Sequence, residues 1–186
     1  PSLEAIVALE PDLILAALGQ MELVETLRER DYDVLILGPS NIYGVLQNIA
    51  LVGRATDKNI EAAALVSSLT QRILSVAAKV ADATSRPKVY CEVWYDPIWS
   101  VGAGSWENEF IEKAGGVNIF ADEVLEYFTT SSEATIQRNP DVMIFPSGNG
   151  GWVFWGGFDE VKARPGWDAV SAVQNNKLYA IDADII

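Results

Sequence analysis

Apolar positions along the chain change period repeatedly, and the changes mark out its elements. Leu3, Ile6, Val7 and Leu9 follow one helical face behind Ser2, a residue suited to capping a helix start. Pro11 ends that stretch, because the residue before proline avoids the helical region. Residues 13–17 form a short unbroken apolar run, as expected of a strand covered on both faces. Helical spacing returns over 20–30, a second buried strand follows at Val34–Leu37, and Ser40 is placed to cap a helix reaching about Val52. This is β/α alternation, whose natural product is a parallel sheet.

From Asp57 to Arg86 there is neither glycine nor proline, and apolar residues recur at 62, 65, 66, 69, 73, 76, 77 and 80. Thr56 or Asp57 is placed to cap the start of this helix, and Pro87 closes it. At ~1.5 Å per residue, residues 57–83 would reach ~40 Å, enough for a stiff strut between two lobes. The β/α pattern then restarts. Strands are expected at 88–94, 118–120, 142–145 and 178–182, and helices at 106–114, from a Ser132 cap to Asn139, and around 167–173. The expected organisation is an amino-terminal α/β lobe over 1–56, an interlobe helix over 57–86 and a carboxy-terminal α/β lobe over 87–186. The opening Pro1-Ser2 and the final strand-like residues read as a chain trimmed at both ends.

Composition excludes several classes of function. The 186 residues carry a net charge of −13, and both lobes are acidic, at −5 and −9, against +1 for the helix between them. Nucleic acid and anionic membrane surfaces, which require basic patches, are poor partners for such a chain. No apolar run is long enough for direct membrane insertion. There is no histidine, so histidine-based triads, zinc corners and haem ligation are ruled out, and Cys91 in its apolar run reads as core. Glu107 and Glu109 are the nearest approach to a catalytic carboxylate pair, but residues two apart on a helix diverge and a helix start favours acids anyway. The glycines match no phosphate-binding or dinucleotide fingerprint. No catalytic residue, metal site or bound cofactor is expected.

Aromatic residues are the positive signal. Sixteen of eighteen, including all six tryptophans, follow residue 86. Trp94, Tyr95, Trp99 and Trp106 gather around the end of the strand 88–94, and Trp152, Phe154, Trp155 and Phe158 follow the strand 142–145. Ligands of open α/β sheets bind outside the carboxyl ends of strands, so both groups would face one crevice suited to a broad ligand. Trp99, Trp152 and Trp155, flanked by turn residues, are the contact candidates, whereas Trp94, Trp106 and Trp167 are expected to pack inward. The lobes also share a pattern in which a glutamate early in a helix, Glu4 or Glu133, stands eight residues before an aspartate opening a strand, Asp12 or Asp141. Capping explains either glutamate alone; the matched pair could seat a partner bearing arginine clusters.

Five strings, in order, give the chain a family resemblance. They are Ser2-Leu-Glu-Ala-Ile with Pro11-Asp-Leu-Ile14, Gly53-Arg54-Ala55-Thr56, Ala114-Gly-Gly-Val-Asn-Ile-Phe-Ala-Asp122, Ser131-Ser-Glu133 with Asn139-Pro-Asp141, and Trp167-Asp-Ala-Val170 with Lys177-Leu-Tyr-Ala-Ile-Asp182. The sequence resembles the class III substrate-binding proteins of ABC importers, which capture cobalamin, ferric siderophores and haem. The resemblance implies two α/β lobes with mainly parallel sheets, joined by one rigid helix that limits closure. It implies a monomer working outside the cytoplasm, lipid-anchored in some settings, that performs no chemistry and hands a large ligand to a permease dimer. It places Tyr95, Asp96, Trp99 and Tyr127 on the ligand side, and makes Glu4 and Glu133 the docking glutamates. Corrinoid is the first expectation, although Ala17 stands where cobalamin binders can carry a tryptophan. A ferric siderophore or haem is the alternative, with Arg138 and Arg164 as candidates to meet an anionic complex. From another class, a chelatase-like α/β enzyme would want a histidine or a carboxylate cluster in the cleft.

Overall fold

The computed structural model describes residues 2–38, 41–147 and 156–182. Contacts divide the chain into two compact units, residues 1–67 and 68–186.

In the first unit, α1 (Leu3–Val7) leads to β1 (Ile14–Ala17), a single 3-10 turn, α2 (Met21–Arg28), β2 (Val34–Leu37) and α3 (Ile42–Ala55). β1 and β2 pair in parallel, Ile14 opposite Val34. Val24 and Leu27 of α2 are almost completely buried, which fixes the face that helix turns inward. The cap of α3 is Asn41, whose Oδ1 accepts from the Gly44 N–H at 2.8 Å. Ser40, the cap expected from the sequence, lies outside the described residues.

α4 (Asn59–Val80) is the long helix, and at ~1.5 Å per residue it spans ~33 Å. Its start differs from expectation. Thr56 closes α3 instead, its hydroxyl donating to the Val52 carbonyl at 2.9 Å, and Asp57 takes a left-handed φ of 55° in the turn between the helices. Gly53 permits that turn, since a Cβ there would stand 2.3 Å from the Ala62 Cβ. The less exposed stripe of α4 is Ala62, Val66, Leu69, Ile73, Ala77 and Val80, while Leu65 and Val76 face outward.

The second unit is built on a six-stranded sheet. β3 (Lys88–Trp94) pairs in parallel with β5 (Val117–Asn118) and β7 (Val142–Ser147), and β7 with β8 (Leu178–Asp182). Two three-residue strands, β4 (Trp99–Val101) and β6 (Tyr127–Thr129), extend it antiparallel beyond β3. Neither was expected. α5 (Trp106–Lys113) packs Ile111 with Val89, Cys91 and Val101 on one face. On the other face Tyr90, Met143 and Phe145 meet Val161 of α7 (Phe158–Ala163) and Trp167, Val170 and Ala172. The helix expected near 167–173 is divided into a 3-10 turn, Trp167–Ala169, and α8 (Ser171–Gln174).

Side-chain bonds explain several of the sequence strings. Asn118 donates to the Val101 carbonyl and to Asn108 Oδ1, and accepts from the Phe120 N–H, so one buried amide ties β4, α5 and β5 together. Asp141 accepts from the Lys88 N–H at 2.8 Å and thereby sets the start of β3 against β7. Gly115 ends α5 at a φ of +83°, and a Cβ there would lie 2.9 Å from the Val80 Cβ. Cys91 is buried among apolar side chains, which pushes its thiol well above the ordinary range.

Candidate functional site

β3 does not end regularly. Its register with β4 shifts between Glu92 and Trp94, so Val93 occupies a bulge, and the next residues turn back into Trp99. The Trp94 indole donates to the Asp96 carbonyl at 3.1 Å, bracing that turn. β4 then carries Val101 opposite Tyr127 of β6, and the Tyr127 hydroxyl lies 3.3 and 3.4 Å from the two carboxylate oxygens of Glu107, in the first turn of α5. Val93, Trp94, Trp99 and Tyr127 line an apolar pocket of about 390 Å³ that is open to solvent. Burial above all, then the charge and hydrogen bond of Glu107 and the charge of Glu126, push the Tyr127 hydroxyl up to about 12. The ring stays protonated and donates.

Two expected contact residues, Trp99 and Tyr127, are therefore brought to one surface. Trp94 joins them, contrary to the inward packing expected of it: it is 45% exposed, because the bulge at Val93 breaks the alternation that would have buried it. Trp106 is half-buried, and Trp167 is fully buried as expected. Tyr95 does not line this pocket; its ring stands 5.0 Å from the Arg164 guanidinium, on the side of the sheet that holds Trp167. Asp96 is exposed and contributes its backbone carbonyl to the turn. Trp152 and Trp155 lie outside the described residues.

Neither candidate cation is free to meet an anion. Arg164 grips Glu92 with two bonds of 2.6 and 2.8 Å, and its guanidinium stacks 4.5 Å from the Trp167 ring. Glu92 is fully buried and also accepts from the Tyr90 hydroxyl at 2.9 Å. Burial would lower the pKa of Arg164, but the bonds to Glu92 more than offset it and hold the charge. Arg138 is tied to both oxygens of Asp122 at 2.6 and 2.8 Å.

The first unit presents exposed apolar side chains near the ends of its own strands. Leu18, just past β1, is 57% exposed and Tyr43, in the first turn of α3, is 67% exposed. One apolar residue at the start of a helix or in a single 3-10 turn sets no period of its own, so the sequence did not mark them.

Glu4 and Glu133 share one local geometry. Ser2 Oγ accepts from the Ala5 N–H at 3.2 Å, and Ser131 Oγ accepts from the Ala134 N–H at 3.2 Å. α6 (Ser132–Arg138) is thus capped by Ser131, one residue before the Ser132 expected, because the residue at the cap must be extended, as Ser131 is at φ −125° and ψ 160°. Each glutamate is then the second residue of its helix and exposed. In both, backbone N–H bonding at the helix start, followed by the serine hydroxyl, holds the carboxyl below its usual range.

Residues 1–185 match the family model described as periplasmic binding protein. The chain belongs to that family. Its fold is that of the class III substrate-binding proteins, as the solved structures agree: the periplasmic heme-binding protein of Roseiflexus sp. RS-1 superposes with a TM-score of 0.84 at 24% identity, covering 97% of this chain and 70% of that one. Among curated relatives, the cobalamin-binding protein of Halobacterium salinarum is 31% identical over 149 residues, 77% of this chain and 40% of its own length. The vitamin B12-binding protein of Vibrio parahaemolyticus is 23% identical over 190 residues, 99% of this chain and 65% of its own length. The chain thus spans less than two thirds of either relative. These relatives are named as binding proteins, and the family is periplasmic. Among the described residues no helix is long and apolar enough to cross a membrane.

Proposed function

We propose that this chain is the ligand-capturing part of an ABC importer's solute-binding protein, working outside the cytoplasm, and that its ligand is a corrinoid. The observation that carries the reading is the aromatic pocket at the end of β3, lined by Trp94, Trp99 and Tyr127, in a family member whose relatives include cobalamin-binding proteins. Broad aromatic walls suit a large ring-containing ligand. Haem or a ferric siderophore is the second reading, and the neutralised Arg164 and Arg138 weigh against it, since an anionic complex needs cations. The protein performs no chemistry on its cargo, which sets it apart from a chelatase-like enzyme. Calorimetric titration with cyanocobalamin, haemin and a ferric siderophore tests the reading. Corrinoid binding in the micromolar range or tighter, with weak or absent haemin binding, is the expected result. Tight haemin or siderophore binding without corrinoid binding would overturn it.

The same reading makes Glu4 and Glu133 the contacts with the permease dimer, and a monomer the working form. The matched serine caps support this, because they place both glutamates at the same exposed position of the same capped helix start. Glu4→Ala with Glu133→Ala is expected to weaken capture by the permease in membranes about tenfold or more for each glutamate removed, with ligand affinity unchanged. Transport at the parent rate in the double variant would refute the docking role.

A further inference from the structure

We propose that the pocket selects its ligand by charge, admitting neutral or positively charged corrinoids and rejecting analogues that present carboxylates. This rests on the corrinoid reading and adds the property by which ligands are sorted.

Three observations converge on it. The pocket is lined by two indoles, a phenol and Val93, and aromatic rings attract positive charge at their faces. Its polar border is acidic: Glu107 stands within hydrogen-bond distance of the Tyr127 hydroxyl, and the Glu126 charge acts on the same group. The third observation concerns the sheet of the second unit. The segments that follow its parallel strands β3 and β5, at 95–98 and 119–126, contain no lysine or arginine. The charged residues they do contain are all acids: Asp96, Asp122, Glu123 and Glu126.

Arg138 and Arg164 of the second unit are each paired with a carboxylate. Arg164, 10% exposed, reaches the turn after β3, and Glu92 neutralises it. Lys88 and Lys177 sit at the opening ends of β3 and β8, the far end of the parallel strands from Trp94. A carboxylate brought into such a pocket loses water and gains no counter-charge, which is the costly way to bury an ion. A cobalt(III) corrin with neutral amide arms escapes that cost; haem propionates and anionic ferric chelates do not.

Two measurements test this, one with a ligand and one without. In calorimetric titration, cobyrinic acid, which carries carboxylates where cobinamide has amides, is expected to bind about tenfold or more weakly than aquocyanocobinamide at low salt. Glu107→Gln with Glu126→Gln should narrow that ratio. Equal affinities, or a ratio indifferent to the double variant, would overturn charge selection. Without any ligand, quenching of tryptophan fluorescence compares caesium with iodide, each scaled to neutral acrylamide. Caesium should quench the component lost in Trp94→Phe/Trp99→Phe better than iodide does, and the glutamine variant should reduce the difference. Equal quenching by both ions would also refute the proposal. If no corrinoid binds while caesium still outperforms iodide, the corrinoid reading fails and the charge character of the pocket stands.

Discussion

Replacing Arg164 with alanine is expected to cost about 3–5 kcal/mol of folding stability, the range for removing one partner of a buried ion pair. The partner left behind is the reason. Glu92 lies fully buried in the middle of β3, and without the guanidinium its carboxylate keeps one hydrogen bond, from Tyr90. Arg164 also packs its planar group between Trp167 and Tyr95, so the substitution opens a gap beside a buried indole. Urea unfolding followed by tryptophan fluorescence reads the loss as a fall in midpoint at constant slope. Glu92→Leu combined with Arg164→Met should recover most of it, since an apolar pair of similar volume avoids desolvating two charges. A loss under about 1 kcal/mol in the single variant would show that the pair is open to water.

The second large effect concerns the ligand. Trp99→Ala is expected to weaken corrinoid affinity by about 2 kcal/mol, roughly 30-fold, as for a central aromatic contact in a binding site. Trp99 is 37% exposed in the free protein, so ligand can still cover much of it, and it stands beside Trp94 and Tyr127 in the pocket. Tyr127→Phe should do far less, because the ring remains and only its hydroxyl bond to Glu107 is lost. Calorimetric affinity unchanged in Trp99→Ala would assign that indole to the packing of the sheet edge.

Much of the fold was legible because burial leaves a period. Val34–Leu37 and the middle of β7 are apolar without interruption in their parallel sheets, the first only partly buried, and the long stripe of α4 runs from Ala62 to Val80. Gly53 and Gly115 carried meaning as well, one at a close approach of helices and one at a left-handed helix stop. The site was harder to read. β4 and β6 are three residues each, too short to show alternation, so the antiparallel extension that brings Tyr127 to Trp99 left no mark. The bulge at Val93, which turns Trp94 outward, depends on a partner strand the sequence did not reveal. Arg164 and Glu92 are 72 residues apart, and no local pattern announces that one cancels the other. The capping serine of α6 was misplaced by one position because Ser131 and Ser132 are chemically alike; backbone conformation alone distinguishes them.

The twin serine caps have a consequence for recognition. Because Glu4 and Glu133 sit at the same position of the same local motif, a receptor could meet both with two copies of one socket. A homodimer with twofold symmetry offers such copies without further design. On the proposed docking, either socket would accept either glutamate. Orientation is the step that slows most protein encounters. Sockets that need not tell the two glutamates apart would ease that step without adding a single contact.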